Sequence, residues 1–401
     1  MERKYFIRTK DFCEIISDEN YVKIIIGEWS SFGKKEDIKN TDIKNFENKE
    51  QQKQYFNEKV NYYSNNGYIQ CERATIIPSL EELENYDFDN DIYNLDYSYK
   101  DEDVNFDKLC EMYKDINCKH LCIPVWYESC YSEGPYYILD YLIKNKENYQ
   151  NIEYFTIGNM NYEWGEISWI NQADYTEFFK AFPNIKGMFI QGSGGLKLGK
   201  MNLPKLEILE LQGSGLRNEI LEDITNSNLP NLKRLNLYFG VENYGCDVEI
   251  EYVKNLLNNT NFEELEILGL CNINYALFSD VLELIFKSKY IEQIKVLDIS
   301  KSVSLPENIQ YIFTNIEKLK KIRYIDLSYN FILKVKDYDF PNVSANILNE
   351  LGIEIDLNNE NNSILNYFEY NRESRTYKKC LSLDEFFNNR EIDDMFPMYT
   401  E

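Results

Sequence analysis

The chain reads as an α/β protein: a parallel sheet lined by outer helices and bent into a horseshoe, preceded by a small α+β unit. Three observations predict this. One short pattern returns between Phe182 and Asn330, as Ile185-x-x-Met188-x-Ile190, Leu206-x-x-Leu209-x-Leu211, Leu232-x-x-Leu235-x-Leu237, Leu265-x-x-Leu268-x-Leu270, Ile294-x-x-Leu297-x-Ile299 and Ile322-x-x-Ile325-x-Leu327. The stretches between copies are long enough for a helix, and apolar residues recur in them at helical spacing, as in Val281, Leu284 and Ile285, or Ile309, Ile312, Phe313 and Ile316. Finally, residues 1–68 hold 12 basic and 12 acidic side chains, so the whole net charge of −25 falls on the remainder, an asymmetry expected of two units.

Within each copy the second and third apolar positions lie two residues apart, which in a strand puts both on one face. A strand with one helix cannot bury that face alone, so neighbouring copies must stack into a continuous core. The pattern is the signature of leucine-rich repeats, here spaced unevenly by 21, 26, 33, 29 and 28 residues between first positions 185, 206, 232, 265, 294 and 322. Cys118-x-x-Leu121-x-Ile123, Ile152-x-x-Phe155-x-Ile157 and Leu348-x-x-Leu351-x-Ile353 extend it to about nine units. The domain reading is therefore 1–70 for the small unit, 71–110 for a connector, 111–358 for the repeats and 359–401 for a cap or tail.

In the small unit, Tyr5-Phe6-Ile7, Phe12-Cys13-Glu14-Ile15 and Tyr21 to Ile26 are short β-rich runs separated by polar turns, and Glu50 to Tyr63 has helical spacing. The order of these runs resembles a WGR domain, with Gly27 and Gly33 in the next strand and turn, and Lys59 followed by Gly67-Tyr68 at the end. The family's Trp-Gly-Arg falls on Ile26-Gly27-Glu28. The resemblance implies a possible nucleic-acid role, because some WGR domains take part in DNA binding, and it puts a carboxylate where the family's Arg would approach phosphate. Together the two units resemble bacterial proteins that combine a WGR domain with leucine-rich repeats. That likeness extends to Glu166-Ile167-Ser168-Trp169 and the terminal Tyr399-Thr400-Glu401, and it implies a binding architecture with no assigned reaction.

Glu81 to Asp107 carries eleven carboxylates against Lys100, and reads as a solvated connector. Asp87-x-Asp89-x-Asp91 starts like a calcium loop, but Ile92 replaces the turn glycine and Ser98 the bidentate Glu. Gln191-Gly192-Ser193-Gly194 and Gln212-Gly213-Ser214-Gly215 lack the Gly-Lys-Ser/Thr of a phosphate loop and are expected to be tight turns. Ser193, Ser214, Ser302 and Asn330 stand where a side chain after the strand bonds a neighbouring backbone.

His120 is the single histidine, between Cys118 and Cys122, without the paired spacing of a zinc site; a structural role is expected. Nine cysteines, irregularly spaced, give no disulfide framework, and no apolar leader or membrane span is visible, so a reduced cytoplasmic setting is expected. No catalytic residue, metal or cofactor is assigned. The strong negative charge disfavours nucleic acid and anionic membranes.

The function expected is a non-enzymatic protein-interaction scaffold working through the concave sheet face; the alternative is a nucleic-acid-associated protein acting through the WGR-like unit. Residues that alternate with the core positions point onto that face: Tyr154, Phe189, Glu210, Gln212, Arg234, Asn236, Tyr238, Val296, Asp298, Tyr324 and Asp326. Four large rings, an Arg and several acids suit an interface centre, for a protein partner whose identity the sequence leaves open. The face is expected to be open to solvent.

Overall fold

The structure, a computed structural model, describes residues 1–8, 11–31, 34–71, 75–76, 119–123, 134–158, 166–304, 306–327 and 330–333, with strand segments at 354–356, 364–365, 368–371 and 376–379. The acidic stretch Glu81 to Asp107, Cys118, Leu348 to Ile353 and most of the tail lie outside the described residues.

The N-terminal unit is a five-stranded antiparallel sheet and one helix. Its strands are β1 (Glu2–Ile7), β2 (Asp11–Asp18), β3 (Tyr21–Ser31), β4 (Lys34–Asn45) and β5 (Ile69–Cys71), in the order β4-β3-β2-β1-β5. Helix α1 (Lys49–Asn65) starts at Asn48, whose side-chain oxygen accepts from Glu50 N at 2.7 Å and Gln51 N at 3.3 Å, satisfying two of the amides that a helix start leaves unpaired. Alternation along the strands sends Phe6, Cys13, Ile15, Val22 and Ile24 under α1, against Phe56, Tyr63 and Tyr68. The other set, Tyr5, Ile7, Phe12, Ile69 and Cys71, faces away from α1 and is just as buried. Three of these strands and the helix follow the β-rich runs and helical spacing read from the sequence. Strand β4 does not, because residues 38–45 are exposed and carry no apolar alternation.

The second unit is a repeat-like α/β arrangement. Strands β6 (Thr75–Ile76), β7 (His120–Ile123), β8 (Tyr154–Ile157), β9 (Gly187–Gln191), β10 (Ile208–Gln212), β11 (Arg234–Gly240), β12 (Ile267–Ile273) and β13 (Val296–Asp298) lie side by side in chain order. A two-residue strand, β14 (Val303–Ser304), steps aside to pair with β16 (Phe331–Leu333), and the main sheet continues through β15 (Tyr324–Asp326) and β17 (Glu354–Asp356). All ten strands of the main sheet run parallel, and the sheet is open. Helices α2 (Tyr136–Lys144), α3 (Thr176–Ala181), α4 (Asn218–Thr225), α5 (Ile250–Asn259), α6 (Tyr275–Lys287) and α7 (Pro306–Thr314) occupy the connections, α6 and α7 where helical spacing placed them.

Register explains the pattern. Leu121, Phe155, Met188, Leu209, Leu235, Leu268, Leu297 and Ile325 stand opposite one another across successive strands. They and the residues two further on form one core with the helices, where Leu209, Leu211, Leu235, Leu237, Leu268 and Leu270 are all buried. Such a core gives little room to collapse around a truncated side chain. Leu237→Ala is expected to cost about 3 kcal/mol, measured by urea unfolding. A loss under about 1 kcal/mol would mean that this layer is not close-packed.

At the strand exits the side chains after the pattern tie neighbouring turns together. Gly215 N donates to Ser193 Oγ at 3.2 Å, Ile273 N to Ser302 Oγ at 3.0 Å and Ser302 N to Asn330 Oδ1 at 2.6 Å. Ser214 departs from the expectation: its hydroxyl is buried without a hydrogen-bond partner among the described residues, and its carbonyl accepts from Val241 N at 2.9 Å instead.

Candidate functional site

The face of the parallel sheet turned away from the helices carries its side chains in cross-strand rows. The first row runs His120, Tyr154, Gly187, Ile208, Arg234, Ile267, Val296, Tyr324; the next runs Cys122, Thr156, Phe189, Glu210, Asn236, Gly269, Asp298, Asp326. One step further stand Gln191 opposite Gln212, and Tyr238 opposite Cys271. All the residues expected on this face are therefore on it.

They are not open to solvent. Phe189, Arg234, Glu210, Asn236, Asp298, Tyr324, Asp326 and Val296 are at most 2% exposed, Tyr154 and Tyr238 are buried, and Gln212 is half-buried. The expectation of an open face is corrected, because the N-terminal sheet lies on it. Tyr5, Ile7, Phe12, Ile69 and Cys71 pack against Tyr154, Phe189, Ile208, Ile267, Val296 and Tyr324 in one apolar cluster. Alternation in a strand fixes which side a residue takes and says nothing of what covers that side.

The contact is anchored at Arg8, just past β1. Its guanidinium sits 3.7 Å from the centre of the Tyr324 ring and 4.7 Å from that of Tyr68, and it pairs with Asp11 at 2.6 Å. The Arg8 carbonyl accepts a hydrogen bond from the Arg234 guanidinium, whose other arm pairs with the Glu210 carboxylate. Arg234 thus bridges the two units. Gly67, at φ +82°, comes so close to β13 that a Cβ there would lie 2.4 Å from Val296 Cγ2, so the corner between α1 and β5 needs glycine on both counts.

Beyond this apolar centre the face is polar and acidic. Burial pushes the Glu210 carboxyl above its ordinary range, the Arg234 charge opposes that, and Asp298 adds to it. Asp298 accepts from Ser300 N at 3.1 Å and lies 3.5 Å from Asn236 Nδ2, and the Tyr324 hydroxyl lies 3.5 Å from Asp326. Burial also raises the Tyr238 phenol and the Cys271 thiol well above their usual values, which keeps Cys271 protonated and a poor nucleophile. His120, buried, meets the Thr156 hydroxyl at 2.8 Å and stacks on Phe189, a packing role. Among the described residues no three His, Cys, Asp or Glu side chains are placed to hold a metal ion, and no helix is long and apolar enough to cross a membrane. What this arrangement does chemically is hold a protein surface, through rings, one buried ion pair and one guanidinium.

In the N-terminal sheet, Ile26-Gly27-Glu28 lies in β3, with Gly27 opposite Phe12 and Glu28 opposite Asp11. A second carboxylate therefore stands beside Glu28. Sequence reasoning missed Arg8 and Asp11, and it named Gly67-Tyr68 for the WGR resemblance without giving them a part in this contact. A signal for the cover was present in β1: Tyr5-Phe6-Ile7 is apolar on both faces, as strands covered on both faces are, whereas β2 sets Glu14 between Phe12 and Ile16.

No protein-family model matches the chain, and no curated protein matches it either. Among solved structures, a protein from Bacteroides fragilis, crystallised as a structural-genomics target, is 25% identical, with a TM-score of 0.56 over 89% of this chain and 96% of that one. That likeness extends over nearly the full length of both chains. TLR13 in complex with single-stranded RNA matches 60% of this chain and 40% of its own, at 13% identity and a TM-score of 0.27.

Proposed function

We propose that the chain is a non-enzymatic protein-interaction scaffold of the leucine-rich-repeat kind, with a WGR-like N-terminal unit, whose recognition surface is the sheet face centred on Arg234 and Tyr324. The observation that carries this reading is that the face already holds a folded protein module through ring contacts, an Arg anchor and a desolvated ion pair, the chemistry that dominates protein interfaces. The N-terminal sheet is then the resident occupant. An external partner reaches the acidic row either beside that sheet or after displacing it. The nucleic-acid alternative is disfavoured by the same residues: Asp11 and Glu28 sit together where a phosphate-binding cation would be needed, and the chain as a whole is strongly acidic.

Loosening the resident sheet tests the reading. Arg8→Ala removes the guanidinium from Tyr324 without altering the recognition face, so affinity-purified Arg8→Ala protein is expected to recover a specific partner from its native cells severalfold better than wild type. Adding Tyr238→Ala should reverse that gain. Equal recovery by all three proteins would move the partner site off this face.

A further inference from the structure

The five-stranded sheet ends at β4, and among the described residues nothing pairs with its outer edge. That edge exposes Ile38 and Ile43, 55% and 56% open to solvent. In a regular strand, two residues five apart point to opposite faces. Here a bulge changes the parity: Ile26 stands opposite Asn40 but Gly27 opposite Ile38, leaving Lys39 as the extra residue. Ile43, opposite Lys23, and Ile38, opposite Gly27, therefore share one face. It is the same face that carries Phe12 and Ile7 onto the parallel sheet two and three strands away. The apolar docking face thus continues to the free edge, beyond what the second unit covers.

We propose that β4 pairs antiparallel with β4 of a second copy of this chain, joining two five-stranded sheets into one. The strand is complementary to itself. An antiparallel copy set with Ile38 opposite Ile43 places the bulged pair Lys39-Asn40 opposite Asp42 and Thr41 opposite itself, and two-fold symmetry repeats the outer pairs. Charges along an edge normally deter strand addition. These charges still deter a strand of unrelated sequence, while a copy of β4 meets Lys39 with Asp42 and pairs the isoleucines away from water. Lys39 and Asp42 are both exposed.

Sedimentation of the full chain across a concentration series tests this. The expected result is a reversible monomer–dimer equilibrium. Asp42→Lys and Lys39→Asp should each weaken the dimer about tenfold by placing like charges opposite one another, and the double exchange should restore it to near wild type. Ile38→Lys with Ile43→Lys should leave only monomer. All four positions are exposed, so far-UV circular dichroism spectra matching wild type will show that each variant folds. A wild-type chain that stays monomeric at every concentration, a dimer indifferent to the charge variants, or a double exchange no better than the single ones would each overturn the proposal.

Discussion

Replacing Arg234 by Ala is expected to cost about 4 kcal/mol of unfolding free energy at neutral pH, the scale for removing one partner of a buried ion pair. The loss arises in two places. The Arg8 carbonyl loses its donor across the contact between the units, and the Glu210 carboxylate is left at 2% exposure without its compensating charge. The pH dependence identifies the second. Burial and Asp298 both raise the Glu210 carboxyl, and Arg234 is the largest influence opposing them, ahead of Gln212 and Lys301, so deleting Arg234 raises it further. A carboxyl whose folded pKa lies above its unfolded value favours the fold fully below the unfolded pKa, and that advantage is lost as pH rises through the folded pKa. The deficit of Arg234→Ala relative to wild type should therefore shrink as pH falls through the carboxylate range and be largest at neutral pH. Glu210→Gln added to Arg234→Ala should recover part of the loss, because a neutral amide needs no counter-charge. Urea unfolding of wild type, Arg234→Ala, Glu210→Gln and the double variant at two pH values decides it. A deficit that is the same at both, with no recovery in the double variant, would mean that the bond to the Arg8 carbonyl matters and the ion pair does not.

This pair also shows what the sequence disclosed. Arg234 and Glu210 were legible as residues of the sheet face because their neighbours Leu235 and Leu209 carry the repeat, and alternation follows from that. Their burial was not legible, since it depends on Tyr5, Ile7 and Phe12, more than two hundred positions earlier than Arg234 in the chain and with no periodic relation to it. The apolar run of β1 hinted that something lies over each of its faces, and only the fold says what. Strand β4 was illegible for the opposite reason: its residues 38–45 are exposed, so no apolar alternation marks them. His120 reads as structural because the cysteines around it lack the paired spacing of a zinc site, and in the structure its ring stacks on Phe189.

Gly240→Ala is expected to be the most damaging small substitution in the parallel sheet, at more than about 4 kcal/mol. Two separate costs meet there. The residue ends β11 at φ +87°, a conformation that a side chain destabilises by about 1–3 kcal/mol. A Cβ would also lie 1.6 Å from the Ser214 carbonyl oxygen and 2.0 Å from its carbon. That carbonyl cannot swing aside cheaply, because Val241 N donates to it at 2.9 Å, and Leu216 N ties the same loop to Phe239 O at 2.8 Å. The turn after one strand is thus pressed against the end of the next, and the close approach requires the missing side chain. Gly245 separates the two costs. It adopts φ +90°, yet a Cβ there meets nothing within 4 Å, so Gly245→Ala carries the conformational strain alone and should lose only about 1–2 kcal/mol. Unfolding both variants in urea beside wild type gives the overlap cost by difference. If the two lose equal stability, the strand exit at Gly240 has room that this geometry denies, and the turn leaving β10 is held against β11 by its hydrogen bonds and not by contact.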